Sequence, residues 1–318
     1  MNAPQLTHLS QIPAIDFASF SPENQAEQQR IADEINQACR SVGFFYVRNH
    51  GIPQSLIDRV FGQMQSFFAL PLETKHQLAW SDEVSNRGYV AVERERLDPS
   101  LPGDLKEAFN IGKDGNLGEA ALTLNCWPEN LAEFQPTVLE FEQACAMEML
   151  RILQAFAIAL RLPEDFFTPL HDQYDNILRL LHYPPIAQTP QPGQVRAGAH
   201  SDYGSLTLLF QDQIGGLEVQ TVSGEWVAAT PIPGTILVNI GDLMQRWTND
   251  VFRSTLHRVV IPQEEKQGQH RYSIAYFCHP NPNIAIACLP TCQSSQQPPQ
   301  YSPILAGDYL LSRLQATY

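Results

Sequence analysis

The sequence is short of basic residues: 20 lysines and arginines stand against 34 aspartates and glutamates, for a net charge of −14. No basic cluster occurs, which argues against binding to a phosphate backbone, since that needs grouped Lys and Arg. No apolar run approaches the roughly 18 residues of a membrane span. The opening MNAPQLTHLSQIP lacks the basic and apolar regions of a secretory signal. Heptads, fixed-period repeats and charge blocks are missing as well. The six cysteines, Cys39, Cys126, Cys145, Cys278, Cys288 and Cys292, are scattered, and no second Cys or His pair stands at zinc-ligand spacing from Cys288 and Cys292. The expectation is a monomeric cytoplasmic protein with reduced, mostly buried thiols that binds neither nucleic acid nor membrane.

What is present is a globular composition, 43% apolar over 318 residues. The first third alternates helices with a short strand. Ser21 is the expected N-cap of a first helix, with Pro22 at its first position and Ile31, Ile35 and Ala38 on one face. Phe44–Val47 reads as a buried strand. A second helix is expected after Pro53, with Val60, Phe61, Met64, Phe67 and Phe68 as its apolar stripe. A long helix should run from Gln135 to about Leu162, ended by Pro163, and serve as a support for a sheet. After Asp172 short β-rich runs follow one another: ILRLLHYP, SLTLLFQ, GLEVQ, EWVAAT, GTILVNI, LHRVVI and RYSIAYF. Many short strands at close spacing point to a double-sheet jelly roll. The fold class is therefore α+β, mainly β: a helical N-terminal part and a long supporting helix packed on a jelly-roll core as one compact unit.

In AHSDYGSLTLLFQD, His200 and Asp202 stand two residues apart ahead of an apolar run. On a strand edge both would face one way. A carboxylate facing an apolar interior is costly unless it is paired or metal-bound. His257 opens the later run LHRVVI, with 54 residues between it and Asp202. Two histidines and one carboxylate form the facial triad of non-haem Fe(II) sites, which leaves coordination positions open. Arg271 and Ser273 share a face of RYSIAYF by the same alternation, and an arginine fork beside a hydroxyl suits a carboxylate.

The order of these motifs resembles the isopenicillin N synthase-like family of Fe(II)/2-oxoglutarate-dependent oxygenases. The matching segments span nearly the whole chain: IPAIDF, CRSVGFFYVRNHGIP, RGYVAVERE, DLKEAFNIG, LRLLHYPP, AHSDYGSLTLLFQD, GGLEVQ, NIGDLMQRWTND, STLHRVV and RYSIAYFCHPN. The resemblance implies a dioxygenase region at 11–115 that includes a lid, and a catalytic jelly roll at 174–281. It implies iron on His200, Asp202 and His257, and the 5-carboxylate of 2-oxoglutarate on Arg271 and Ser273 with Tyr183 donating. Relatives often carry an asparagine where Leu181 stands here; Arg179, on the face of Tyr183, is a weak candidate to compensate. The implied reaction consumes O2 and 2-oxoglutarate, releases succinate and CO2 and hydroxylates a C–H bond of a small molecule, with ascorbate as a supporting reductant. The retained Asp202 speaks against a halogenase, where a small residue makes room for halide.

Arg87, Tyr89, Glu107 and Phe109 lie in segments that relatives fold over the active site. They are candidates for substrate contact, against the stronger reading of a structural role in the lid. His182 is expected to be structural, His270 solvated in a hairpin tip, QEEKQGQH, and His50 a turn hydrogen-bonder; His279 stands close enough to reach the pocket mouth. Two other functions compete: an iron oxidase of the same fold that omits 2-oxoglutarate, and a jelly-roll metal- or ligand-binding protein without turnover.

Overall fold

The computed structural model describes residues 12–79, 86–96, 101–116, 122–187 and 189–317. Most of the opening stretch read above for a secretory signal lies outside them. Two sheets face each other. The larger has eight strands in the order Ala14–Asp16, Phe44–Arg48, Thr235–Ile240, Leu206–Gln211, Arg271–Cys278, Ile177–Tyr183, Glu107–Gly112 and Gly88–Val90. The smaller has four: Trp226–Ala228, Leu217–Gln220, His257–Val259 and Ala197–His200. This is the jelly roll expected from the string of short strands.

Strand alternation sorts the side chains of the large sheet into two apolar layers. On one face Phe45, Val47, Leu178, Leu180, Leu208, Phe210, Ile236, Val238, Ile274 and Tyr276 pack with the helices in one core. On the other, Phe44, Tyr46, Leu181, Tyr183, Leu237 and Ala275 face the small sheet in a second cluster. The helix layer is built from Gln25–Ser41, Gln54–Phe68 and the long helix Phe134–Ala159. Phe141 of the long helix meets Phe210 edge-on at 4.9 Å, and Phe156 meets Phe45 at 6.2 Å, so this helix backs the sheet as a support.

Several local details differ from expectation. The first helix begins at Gln25, with the Asn24 side chain accepting from the Glu27 amide at 3.3 Å, while Ser21 and Pro22 lie outside the helix. The short Asn side chain three residues later is the nearer cap. The long helix stops at Ala159, ahead of Pro163: Arg161 takes a left-handed φ of 58°, and the Leu162 amide reaches back to the Ala157 carbonyl at 2.9 Å. That is a hydrogen-bonded C-terminal turn, and the proline only follows it. RGYVAVERE and DLKEAF contribute the strands Gly88–Val90 and Glu107–Gly112, which extend the large sheet where lid segments between helices were expected. The hairpin tip QEEKQGQH contains a one-turn helix, Glu264–Gln267.

One buried histidine links Phe167, beyond the long helix, to Ser205 at the start of a core strand. His171 is fully buried; Nδ1 donates to the Phe167 carbonyl at 2.8 Å and Nε2 accepts from the Ser205 hydroxyl at 2.9 Å. Burial pushes its imidazolium down from 6.5 to about 4. The unfolded chain therefore binds a proton near 6.5 and the folded chain only near 4, so the stability linked to neutral His171 is complete above 6.5 and lost as pH falls toward 4. The whole window is worth about 3 kcal/mol. Denaturant titrations at several pH values should show His171→Gln with a flatter acid limb than the parent; parallel limbs would remove His171 from the account.

Candidate active site

Between the sheets lies a cavity of about 700 Å³. His200 ends an edge strand of the small sheet, His257 starts the neighbouring strand, and the two are cross-strand partners with ring centroids 4.2 Å apart. Asp202 lies two residues beyond His200. Its Oδ1 stands 3.9 Å from His200 Nε2 and 3.7 Å from His257 Nε2. Those separations are too long for hydrogen bonds and suit three donors around one ion; one ligand atom from each residue lies within 4.8 Å of the others.

The surroundings prepare all three for a cation. His200 Nδ1 donates to the Gly198 carbonyl at 2.8 Å and His257 Nδ1 to the Thr255 carbonyl at 3.2 Å. Each bond fixes the tautomer and leaves the Nε2 lone pair directed inward. Asp202 Oδ2 accepts from Asn239 Nδ2 at 2.7 Å and from the Thr207 hydroxyl, leaving Oδ1 toward the histidines. Enclosure and the adjacent His257 push the His200 imidazolium down to about 3, so its ring is neutral. Burial alone would raise the Asp202 carboxyl, but His257, His200 and the two hydrogen bonds outweigh it and hold the group ionised. An anionic carboxylate with two imidazole nitrogens turned inward is a fitting donor set for Fe(II).

Across the cavity, on the large sheet, Arg271 is 1% exposed and stacks over the Tyr183 ring at 4.5 Å. The two are cross-strand partners. The guanidinium donates to the Gly215 carbonyl at 2.7 Å, with Ser273 Oγ and Gln211 Oε1 each at 3.4 Å. Among the described residues no carboxylate forms an ion pair with it. A buried charge without a counter-ion is costly, and this one borders the cavity, so a ligand carboxylate fits the place. Leu181 lines the wall. Arg179 also lines it, but its Nε donates to Asn110 at 2.9 Å and its Nη2 pairs with Glu95.

The third wall departs furthest from expectation. Of the four substrate candidates Arg87 lines the cavity, with Nη2 donating to the Lys113 carbonyl at 3.0 Å. Tyr89, Glu107 and Phe109 occupy the opposite face of the sheet. Phe109 packs on Phe67 at 4.6 Å, and Tyr89 donates to Glu107, which also holds Lys75 and His182 in a buried network. Alternation is the reason. In the strand Glu107–Gly112 the odd positions turn to the helices, so Lys106 and Asn110 flank the cavity side. Lys106 lines the cavity with Asn86, Asp175 and His279, and its ammonium pairs with Asp104 and, at 3.2 Å, with Glu95. His182 continues the buried network to His270 at 2.8 Å, and His50 Nδ1 accepts from the Ile52 amide at 3.3 Å.

Sequence reasoning also missed the C-terminal helix Ala306–Thr317, which brings Leu310, Leu311 and Leu314 to the cavity and sets Arg313 4.9 Å above the Tyr203 ring. Its signal was there: leucines at 310, 311 and 314 follow helical spacing.

Comparison with known proteins gives this geometry a family. Residues 12–130 match the model of the non-haem dioxygenase in morphine synthesis N-terminal region, and residues 174–280 that of the 2OG-Fe(II) oxygenase superfamily. The chain is 35% identical to proline hydroxylase buaE of Petromyces alliaceus over 97% of this chain and 100% of that protein. It is 33% identical to the 2-oxoglutarate-Fe(II) type oxidoreductase hxnY of Emericella nidulans, covering 96% and 90%. Among solved structures, full-length Neurospora crassa T7H in complex with alpha-KG and thymine superposes with a TM-score of 0.89 at 38% identity, covering 96% of this chain and 97% of that one. On these matches the chain belongs to the 2-oxoglutarate–Fe(II) oxygenase superfamily, as an oxidoreductase that uses Fe(II), 2-oxoglutarate and O2.

Proposed function

We propose that His200, Asp202 and His257 hold the iron, and that Arg271, Ser273 and Tyr183 hold the far carboxylate of 2-oxoglutarate. The observation that carries this reading is the placement of the triad and a buried arginine without a counter-ion on opposite walls of one cavity. When bound, iron and cosubstrate supply the oxidation: O2 is divided between succinate, formed with CO2, and a hydroxyl inserted into a C–H bond. The chain's own residues do the rest. Arg271 neutralises the cosubstrate carboxylate, Ser273 adds a hydroxyl beside it, and Leu181, Leu209 and Phe277 keep the intervening space apolar. Region 174–281 supplies the ligands and the anchor, while 11–115 contributes Asn86, Arg87 and Lys106 to the cavity wall.

The substrate is a compact polar molecule. The cavity supports this, since Asn86, Arg87, Asp175, Arg179 and His279 ring its outer part. So do the relatives, one named for proline and another solved with thymine. The six cysteines are free thiols, which supports a cytoplasmic setting.

A screen of small cyclic amides and amino acids, followed by succinate release with Fe(II) and ascorbate, tests the function. With a substrate in hand, Arg87→Ala should lower coupled turnover about tenfold or more, the worth of one charged hydrogen bond. Decarboxylation of 2-oxoglutarate without substrate should hold. Equal losses in both assays would mean that Arg87 serves folding only.

A further inference from the structure

The strand that delivers His200 is irregular. His257 pairs with His200 and Val259 with Ala197, so two steps on one strand face three on the other. The Ala197 strand therefore carries one extra residue. Without it, alternation would turn Ala199 inward and His200 out. Instead Ala197 and His200 both line the cavity, and Ala199 is exposed. An extra residue of this kind re-aims a side chain, and it leaves a backbone group outside the ladder. This strand is also at the sheet edge, where register is weakly held.

The group outside the ladder is the Gly198 amide, and it donates to Asp104 Oδ1 at 3.0 Å. The carbonyl of the same Gly198 accepts from His200 Nδ1 at 2.8 Å. Asp104 is 3% exposed and arrives from the N-terminal region, where the next residue, Leu105, donates its amide to the Val195 carbonyl at 3.0 Å. Lys106 balances the carboxylate from the cavity wall.

We infer that Asp104 is a positioning residue for His200: its carboxylate clamps the extra residue of the strand, and that residue's carbonyl sets the imidazole for the metal. This rests on the iron assignment made above, and it gives the N-terminal region a part in metal binding as well as in the substrate wall.

The test is anaerobic calorimetry with Fe(II) alone on the full-length chain, with amide hydrogen exchange on the metal-free form. Asp104→Ala should weaken Fe(II) by about tenfold, the low end of the range for partners outside the ligand set. Asp104→Asn should bind nearly as the parent, because its Oδ1 still accepts from Gly198 and Lys106 keeps Glu95. The Gly198 amide should exchange slowly in the parent and in Asp104→Asn, and fast in Asp104→Ala. Parental affinity in Asp104→Ala would overturn the inference, as would an Asp104→Asn variant as weak as Asp104→Ala. Should Asp104→Ala not fold, rapid exchange at Gly198 in the parent chain would be enough to overturn it. A parent chain that bound no Fe(II) would instead sink the iron assignment itself.

Discussion

His257→Ala abolishes the metal site in the expected experiment. The parent chain, titrated with Fe(II) without oxygen, takes up one ion, and added 2-oxoglutarate brings up a weak visible absorption. In the variant both signals disappear. Two ligands remain, but the loss exceeds the roughly 100-fold that changes outside the ligand set can reach, since a donor itself is gone. His200→Ala and Asp202→Ala should behave alike. Retention of the absorption in His257→Ala would mean a misassigned ligand. The substitute would then be His279, which lines the cavity, since His270 sits outside it against His182.

Arg271→Gln separates cosubstrate from metal. A charged hydrogen bond to a carboxylate contributes about 1.5–3 kcal/mol, and a two-point grip lies toward the top of that range. At about 1.4 kcal/mol per tenfold, the variant should bind 2-oxoglutarate ten- to a hundredfold more weakly. Iron binding should be unchanged, because Arg271 is across the cavity from the triad. Glutamine keeps much of the length and can still donate to the Gly215 carbonyl, so the barrel end should stay packed. Calorimetry of 2-oxoglutarate against the iron-loaded, oxygen-free protein decides the matter. An unaltered affinity would take the anchor away from Arg271.

The jelly roll was legible because most strands after Asp172 carry an apolar run of their own, cut by Gly, Pro or Asn. ILRLLHYP, SLTLLFQ and RYSIAYF all became strands of the large sheet. The triad and the arginine were legible as an order of motifs. Three kinds of information were not. RAGAH has no apolar rhythm, so neither the Ala197–His200 strand nor its extra residue could be seen. Which face of DLKEAFNIG meets the cavity depends on how its strand pairs, and a strand read one residue out of phase exchanges Lys106 and Asn110 for Glu107 and Phe109. The C-terminal leucines showed helical spacing, but nothing local tells a helix what it will cover. Glu95 is the same case: a charged residue in a loop whose carboxylate pairs with Lys106 and with Arg179 of a distant strand.

The triad and the arginine anchor stand on different sheets, His200 and His257 on the small one and Arg271 and Ser273 on the large one. Two packed sheets stand about 10 Å apart, a spacing set by the side chains that fill the space between them. With the metal on one leaf and the anchor on the other, as proposed above, that spacing would act as a ruler. A diacid one carbon shorter than 2-oxoglutarate would touch the metal and fall short of the guanidinium; one carbon longer, it would have to buckle against Leu181 and Phe277. The large sheet cannot shift to meet it without unpacking Phe210 from Phe141 or Phe45 from Phe156. On that assignment the choice of cosubstrate would be set by the thickness of a β-sandwich as much as by the groups that meet its two ends.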